Sequence, residues 1–212
     1  MPTDGPVSGS VYIWYPADGH IGHAAMYIGN YAVGQRFEMS IDPESPHYVM
    51  PSALETRYGI AGQHFNDNYV SWWPGGGADL VNPKAGAEPM NGLYKDVDAE
   101  DSEPHVVYNV YGLDVAAMRR VWHQARDKQG AHYQLYRKNC SDLVMRVLKA
   151  GGALSRIGRI SGAYFGHNLL TTPKDVAVVC NKLRDAGWAT KQKAGNCPSK
   201  RGNKLMVVLG MR

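Results

Sequence analysis

At Asp114 the chain changes its hydrophobic period. Before it, "HVVYNVYGL" (105–113) alternates, with Val106, Tyr108 and Val110 on one face and Val107, Asn109 and Tyr111 on the other. A period of two is the mark of a β-strand. After it, "VAAMRRVWHQARDKQG" sets Met118, Val121, Trp122 and Ala125 on one face of a helix, with Asp114 as its N-cap and Gly130 as its stop. Strand-forming runs precede this point and helices follow it. That order predicts an α+β fold, an antiparallel sheet packed against a few helices.

The runs before Asp114 are rich in β-branched and aromatic residues. "SVYIWYP" (10–16), "HAAMYIG" (23–29), "QRFEMSI" (35–41) and "NYVSWWPGGG" (68–77) read as strands, each ended by Pro, Gly or a turn. Two stretches read as irregular insertions. Residues 42–66 carry Pro43, Pro46 and Pro51, and residues 75–104 are rich in Gly, Pro and acids, as in "DVDAEDSE". The second reads as a surface excursion, with few residues to bury.

Two helices follow the first. One starts at Asn139 or Cys140, carries Leu143, Val144, Val147 and Leu148 as its stripe, and stops at Gly151-Gly152. The other is announced by "TPKD": Thr172 at the N-cap, Pro173 at N1 and Asp175 in the capping-box position. "KLMVVLGM" (204–211) reads as a closing strand. With 212 residues the chain is long enough for one full-sized domain, 1–212, and shows no internal repeat.

Composition narrows the function classes. A net charge of +4 is too mild to point to nucleic acid. No apolar run is long enough to span a membrane. "MPTDGPVSGS" has neither the basic nor the apolar region of a secretory signal, so the expectation is a protein made in the cytoplasm that leaves it, if at all, by another route. Cys140, Cys180 and Cys197 form no disulfide framework and no zinc-ligand spacing, and no metal or cofactor is expected.

Cys140 stands out among the three. In "YRKNCSDLV" (136–144) it begins a helix, where free N–H groups and the helix dipole favour a thiolate, and Arg137 and Lys138 add positive charge. The alternative is a small apolar residue that happens to start a helix. Cys180 lies on an apolar helix face and reads as core. Cys197 lies in a basic loop, "KAGNCPSKRGNK". The basic segment 191–204 reads as a solvated loop. A cysteine nucleophile needs a base, usually His. Of eight histidines, His23 opens a largely buried strand and can face a cleft at the sheet edge.

The pair "HAAMYIG" and "NCSDLV" resembles the circularly permuted branch of the papain-like NlpC/P60 superfamily, which carries an early His strand and a late Asn-Cys helix start. "GHAAMYIG", "YVSWWPGG", "YQLYRKNCSDLVMRVLKAGG" and "TPKDV" together look like bacterial toxins of that superfamily. The resemblance implies a papain-like fold in permuted order, with Cys140 as nucleophile and His23 as its base. A third polar residue should orient the base. His64 is the preferred candidate, with Glu38 or Ser71 as alternatives.

What the resemblance implies for function is a cysteine hydrolase, an endopeptidase or amidase that cuts the peptide part of bacterial peptidoglycan. Such an enzyme would suit an antibacterial toxin delivered by a type VI secretion system into a rival's periplasm, with a carrier and an immunity protein as partners. One alternative is an acyltransferase or lipase like the lecithin:retinol acyltransferase relatives, using the same Cys–His pair. Another is a binding domain that catalyses nothing.

Overall fold

A computed structural model describes residues 2–16, 21–30, 68–75, 84–90, 92–135, 137–166 and 171–198. The fold is α+β. Among these residues, β1 (Val7–Trp14), β2 (His23–Ile28), β3 (Tyr69–Val70), β6 (Val106–Tyr111) and β8 (Ala189–Lys193) form one antiparallel sheet in the order β3-β2-β1-β6-β8. A smaller antiparallel sheet holds β4 (Trp73–Gly75), β5 (Lys84–Glu88) and β7 (His132–Gln134). The helices are α1 (Leu93–Ala99), α2 (Val115–Arg126), α3 (Cys140–Ala150), α4 (Ala153–Arg156), α5 (Arg159–Gly166) and α6 (Pro173–Asp185).

β1 is the central strand and is buried almost throughout; its apolar run Val11–Trp14 and its small residues Ser8, Gly9 and Ser10 are all inside. Its register sets Trp14 opposite His23 on β2 and Ser10 opposite Asn109 on β6. Ser10 Oγ donates to Asn109 Oδ1 at 2.8 Å, so the polar pair is satisfied inside the sheet. At Gly9 a Cβ would lie 2.8 Å from the carbonyl oxygen of Tyr27, a contact only glycine avoids.

α2, α3 and α6 cover the sheet. Met118 and Trp122 of α2, Leu143, Val144, Val147 and Leu148 of α3, and Val176, Val179, Cys180 and Leu183 of α6 pack onto Val11, Ile13, Met26, Val106, Tyr108 and Val110. The expected caps at Asp114 (accepting from Ala117 N–H) and Thr172 with Asp175 (a capping box) are in place, and Asn139, accepting from Asp142 N–H, caps α3 as well. Cys180 is fully buried, as its helix face required.

Three expectations differ from the structure. The "YVSWWP" run is two short strands in two sheets, with Ser71 and Trp72 as the bend between them. The expected surface excursion 75–104 carries β5 and α1, because Leu93 and Val97, four residues apart, bury themselves completely. Part of the expected basic loop 191–204 belongs to β8. This strand is polar ("ATKQK") because it lies at the sheet edge, held by backbone pairing with β6 and mostly exposed on its side chains. The expected strands 35–41 and 204–211 and the expected insertion 42–66 lie outside the described residues.

Candidate functional site

The fold brings Cys140 and His23 together. His23 is the first residue of β2 and Cys140 the first of α3, and α3 packs against β2. Both are buried, at 7% exposed for Cys140 and 2% for His23. The two groups are close enough for each to shift the other's protonation, and Cys140 Sγ lies 3.8 Å from Ser141 Oγ.

Asn139 fixes the start of α3. Its Oδ1 accepts from Asp142 N–H at 2.9 Å, and its Nδ2 donates to the carbonyls of Leu135 at 2.8 Å and Thr171 at 3.0 Å. The cap thus ties the Cys140 end of α3 to the strand connection before it and to the entry of α6. Helix geometry leaves the N–H groups of Cys140 and Ser141 without intrahelical acceptors, which makes this turn suited to holding negative charge.

The electrostatics of the pair are reciprocal. Burial pushes the Cys140 thiol up, but the His23 charge, the His23 and Ala24 hydrogen bonds and the Ser141 hydroxyl outweigh it, and the thiol is held below its ordinary value. Burial pushes His23 down, but the negative charges of Cys140 and Asp96 and the hydrogen bonds to both raise it well above its ordinary value. The favoured state is a thiolate beside an imidazolium.

Asp96 completes the arrangement. It is fully buried on α1, and its Oδ2 lies 3.3 Å from His23 Nε2. Three neutral donors hold the carboxylate: Tyr69 OH to Oδ2 at 2.5 Å, Ser71 Oγ to Oδ1 at 2.8 Å, and Trp73 Nε1 to Oδ1 at 2.7 Å. Hydrogen bonds to a charged group contribute about 1.5–3 kcal/mol each, and together they offset the burial of the charge. Trp73 also stacks on the His23 ring at a centroid distance of 4.6 Å, while Trp14 lies against it at 5.6 Å.

Among the described residues, the carboxylate beside the His23 ring is Asp96, which the sequence did not suggest. Ser71, one of the alternatives, is close, with its Oγ 3.3 Å from His23 Nε2, but it donates its proton to Asp96. His64 and Glu38 lie outside the described residues. A signal for Asp96 exists in "LYKDVDA": Leu93, Asp96 and Val97 are spaced i, i+3, i+4, which places the carboxylate on the buried face of a short helix. The acid-rich, glycine-rich surroundings masked it.

Two of the other described histidines are engaged elsewhere. His105 accepts from the Tyr15 N–H at 2.8 Å, and His132 accepts from Lys138 Nζ at 2.8 Å. Among the described residues, no group of three or more His, Cys, Asp and Glu side chains is placed to hold a metal ion, and no helix is long and apolar enough to cross a membrane.

The family model described as the IcsB middle domain matches residues 84–202, more than half of the chain. The chain belongs to the IcsB middle domain family. The matched span contains Asp96 and Cys140, while His23 precedes it. Two curated relatives carry the same description, multifunctional-autoprocessing repeats-in-toxin. The protein from Vibrio cholerae serotype O1 is 52% identical over 78 residues, 37% of this chain and 2% of that protein. The protein from Vibrio vulnificus is 50% identical over 78 residues, 37% of this chain and 1% of that protein. This member of the family thus resembles a short segment of very long bacterial toxins, and the match spans at most about 2% of their length.

Proposed function

We propose that the chain is a toxin-type enzyme that transfers acyl groups through a thioester on Cys140. The single observation that carries this reading is the buried Cys140–His23–Asp96 arrangement, with the thiol held down and the imidazole held up. The Cys140 thiolate adds to a carbonyl carbon, and the N–H groups at the start of α3 hold the resulting oxyanion. His23 gives its proton to the leaving group as the carbon–leaving-group bond breaks, which leaves a thioester and a neutral imidazole. That imidazole then takes a proton from the acceptor, which attacks the thioester and releases the sulfur. Asp96 keeps the ring oriented and stabilises its charge throughout.

The acceptor decides the activity. Water makes the protein a cysteine hydrolase, and the resemblance to NlpC/P60 enzymes suggests amide bonds in peptidoglycan peptides, cut in the periplasm of a target cell. An amine makes it an acyltransferase. The near-complete burial of Cys140 and His23, with Trp14 and Trp73 against the ring, favours the second reading, because a dry site protects a thioester from water.

Intact-protein mass spectrometry tests the proposal. The protein is incubated with acyl p-nitrophenyl esters of increasing chain length, and separately with purified cell-wall fragments. The expected result is an acyl adduct on the wild type that is absent from Cys140→Ala and is discharged faster by added amine than by water. New amine and carboxylate ends in the wall fragments would instead select hydrolysis. No adduct and no product, with Cys140→Ala indistinguishable from wild type in every assay, would leave a binding domain.

A further inference from the structure

A cleft of about 150 Å³ opens beside the Cys140 end of α3, and its charge is one-sided. Lys128 beyond the end of α2, Arg137 and Lys138 in the connection into α3, and Arg146 on α3 all line it. All four are exposed. The other titratable groups in its wall are His132, which accepts from Lys138 Nζ at 2.8 Å, and Asp142. Among the described residues Asp142 is the one carboxylate there, and burial pushes its carboxyl above the ordinary range despite Arg146 nearby.

We propose that this cleft binds an anionic group of the phosphate class. Four cations from three stretches of chain gathered in one concavity repel one another, and an anion relieves that repulsion. Two of them are arginines, whose planar forks match phosphate oxygens two at a time. The cleft adjoins the candidate site. Asn139 lines it and immediately precedes Cys140, and Trp72 lines it from between Ser71 and Trp73. Neighbouring residues are about 3.8 Å apart along the chain, so the wall of the cleft at Asn139 adjoins the residue that carries the nucleophile. The phosphate can come from a soluble phosphorylated molecule or from a phospholipid head group.

Calorimetric titration with inorganic pyrophosphate tests the soluble source, and co-flotation with phosphatidylcholine vesicles, with and without phosphatidic acid, tests the lipid one. Neither requires turnover, so failure here leaves the thioester reading untouched. The Arg137→Gln/Lys138→Gln and Arg146→Gln variants are expected to weaken binding by about tenfold for each phosphate contact removed. Their thermal melts should match wild type because these side chains are exposed. Lys193→Gln, on the exposed edge strand β8, should bind like wild type. Pyrophosphate binding lost in the cleft variants assigns a soluble ligand, and vesicle binding lost in them assigns a head group. No binding of either probe, or equal weakening by Lys193→Gln, overturns the proposal.

Discussion

Trp73 Nε1 donates a hydrogen bond of 2.7 Å to Asp96 Oδ1, and the same indole stacks on His23. One side chain therefore positions both the imidazole and the carboxylate that orients it. Trp73→Phe keeps an aromatic face against His23 but removes the donor together with the second ring of the indole. Stability should fall by about 2 kcal/mol, the size of one hydrogen bond to a charged group. kcat should fall several-fold with KM little changed, because the loss is in positioning and not in substrate contact. Denaturant unfolding and steady-state kinetics with an acyl ester check the two parts.

Removing the charge of Asp96 should move a pH limb as well as slow the reaction. Asp96 is among the causes that hold His23 up, so Asp96→Asn lowers the imidazole value. The high-pH limb of activity, where the ring loses its proton, should shift to lower pH, and kcat should fall by roughly 10²-fold. A melting-temperature drop with an unmoved limb would mean that Asp96 only fills space.

The thiolate–imidazolium state sets the pH window of reactivity. The thiol is held low, so alkylation of Cys140 by iodoacetamide should reach its plateau at a pH below the ordinary thiol value of about 8.5. The imidazole is held high, so the proton donor survives above its ordinary value of about 6.5. Activity should rise as pH climbs through the lowered thiol value and fall as it climbs through the raised imidazole value. Alkylation rates measured against pH, with Cys140→Ala as the blank, test the lower limb.

Asn139→Asp should raise the thiol value. It keeps an acceptor for Asp142 N–H, loses the two Nδ2 donations to Leu135 and Thr171, and puts a negative charge next to Cys140. Two hydrogen bonds lost from buried carbonyls should cost about 2 kcal/mol. The alkylation plateau should move to higher pH by a measurable step, since like charge disfavours the thiolate. An unchanged profile would show that the helix start is insulated from its cap.

Much of the fold was legible in the sequence because it depends on local pattern. Met118 and Trp122 at helical spacing, the capping box at Thr172 and Asp175, and the alternation from Val106 to Tyr111 each carry their own signal over a few residues. β8 was not legible, since an edge strand is stabilised by another strand's backbone and its own side chains need no pattern. Asp96 was missed for a related reason. A seven-residue helix with two apolar anchors is too short to stand out, and composition made its surroundings read as a surface excursion.

The sequence by itself determined the chemistry on offer: a cysteine at a helix start, and a histidine opening a buried strand. Those are local facts about backbone direction and helix ends. Only the tertiary structure decided which carboxylate faces the ring, because Asp96 is 73 residues from His23 along the chain and reaches it only when α1 docks against the sheet. Burial then does the rest. Taking sulfur, imidazole and carboxylate out of water together makes each charge depend on the others, and no stretch of sequence encodes that mutual dependence.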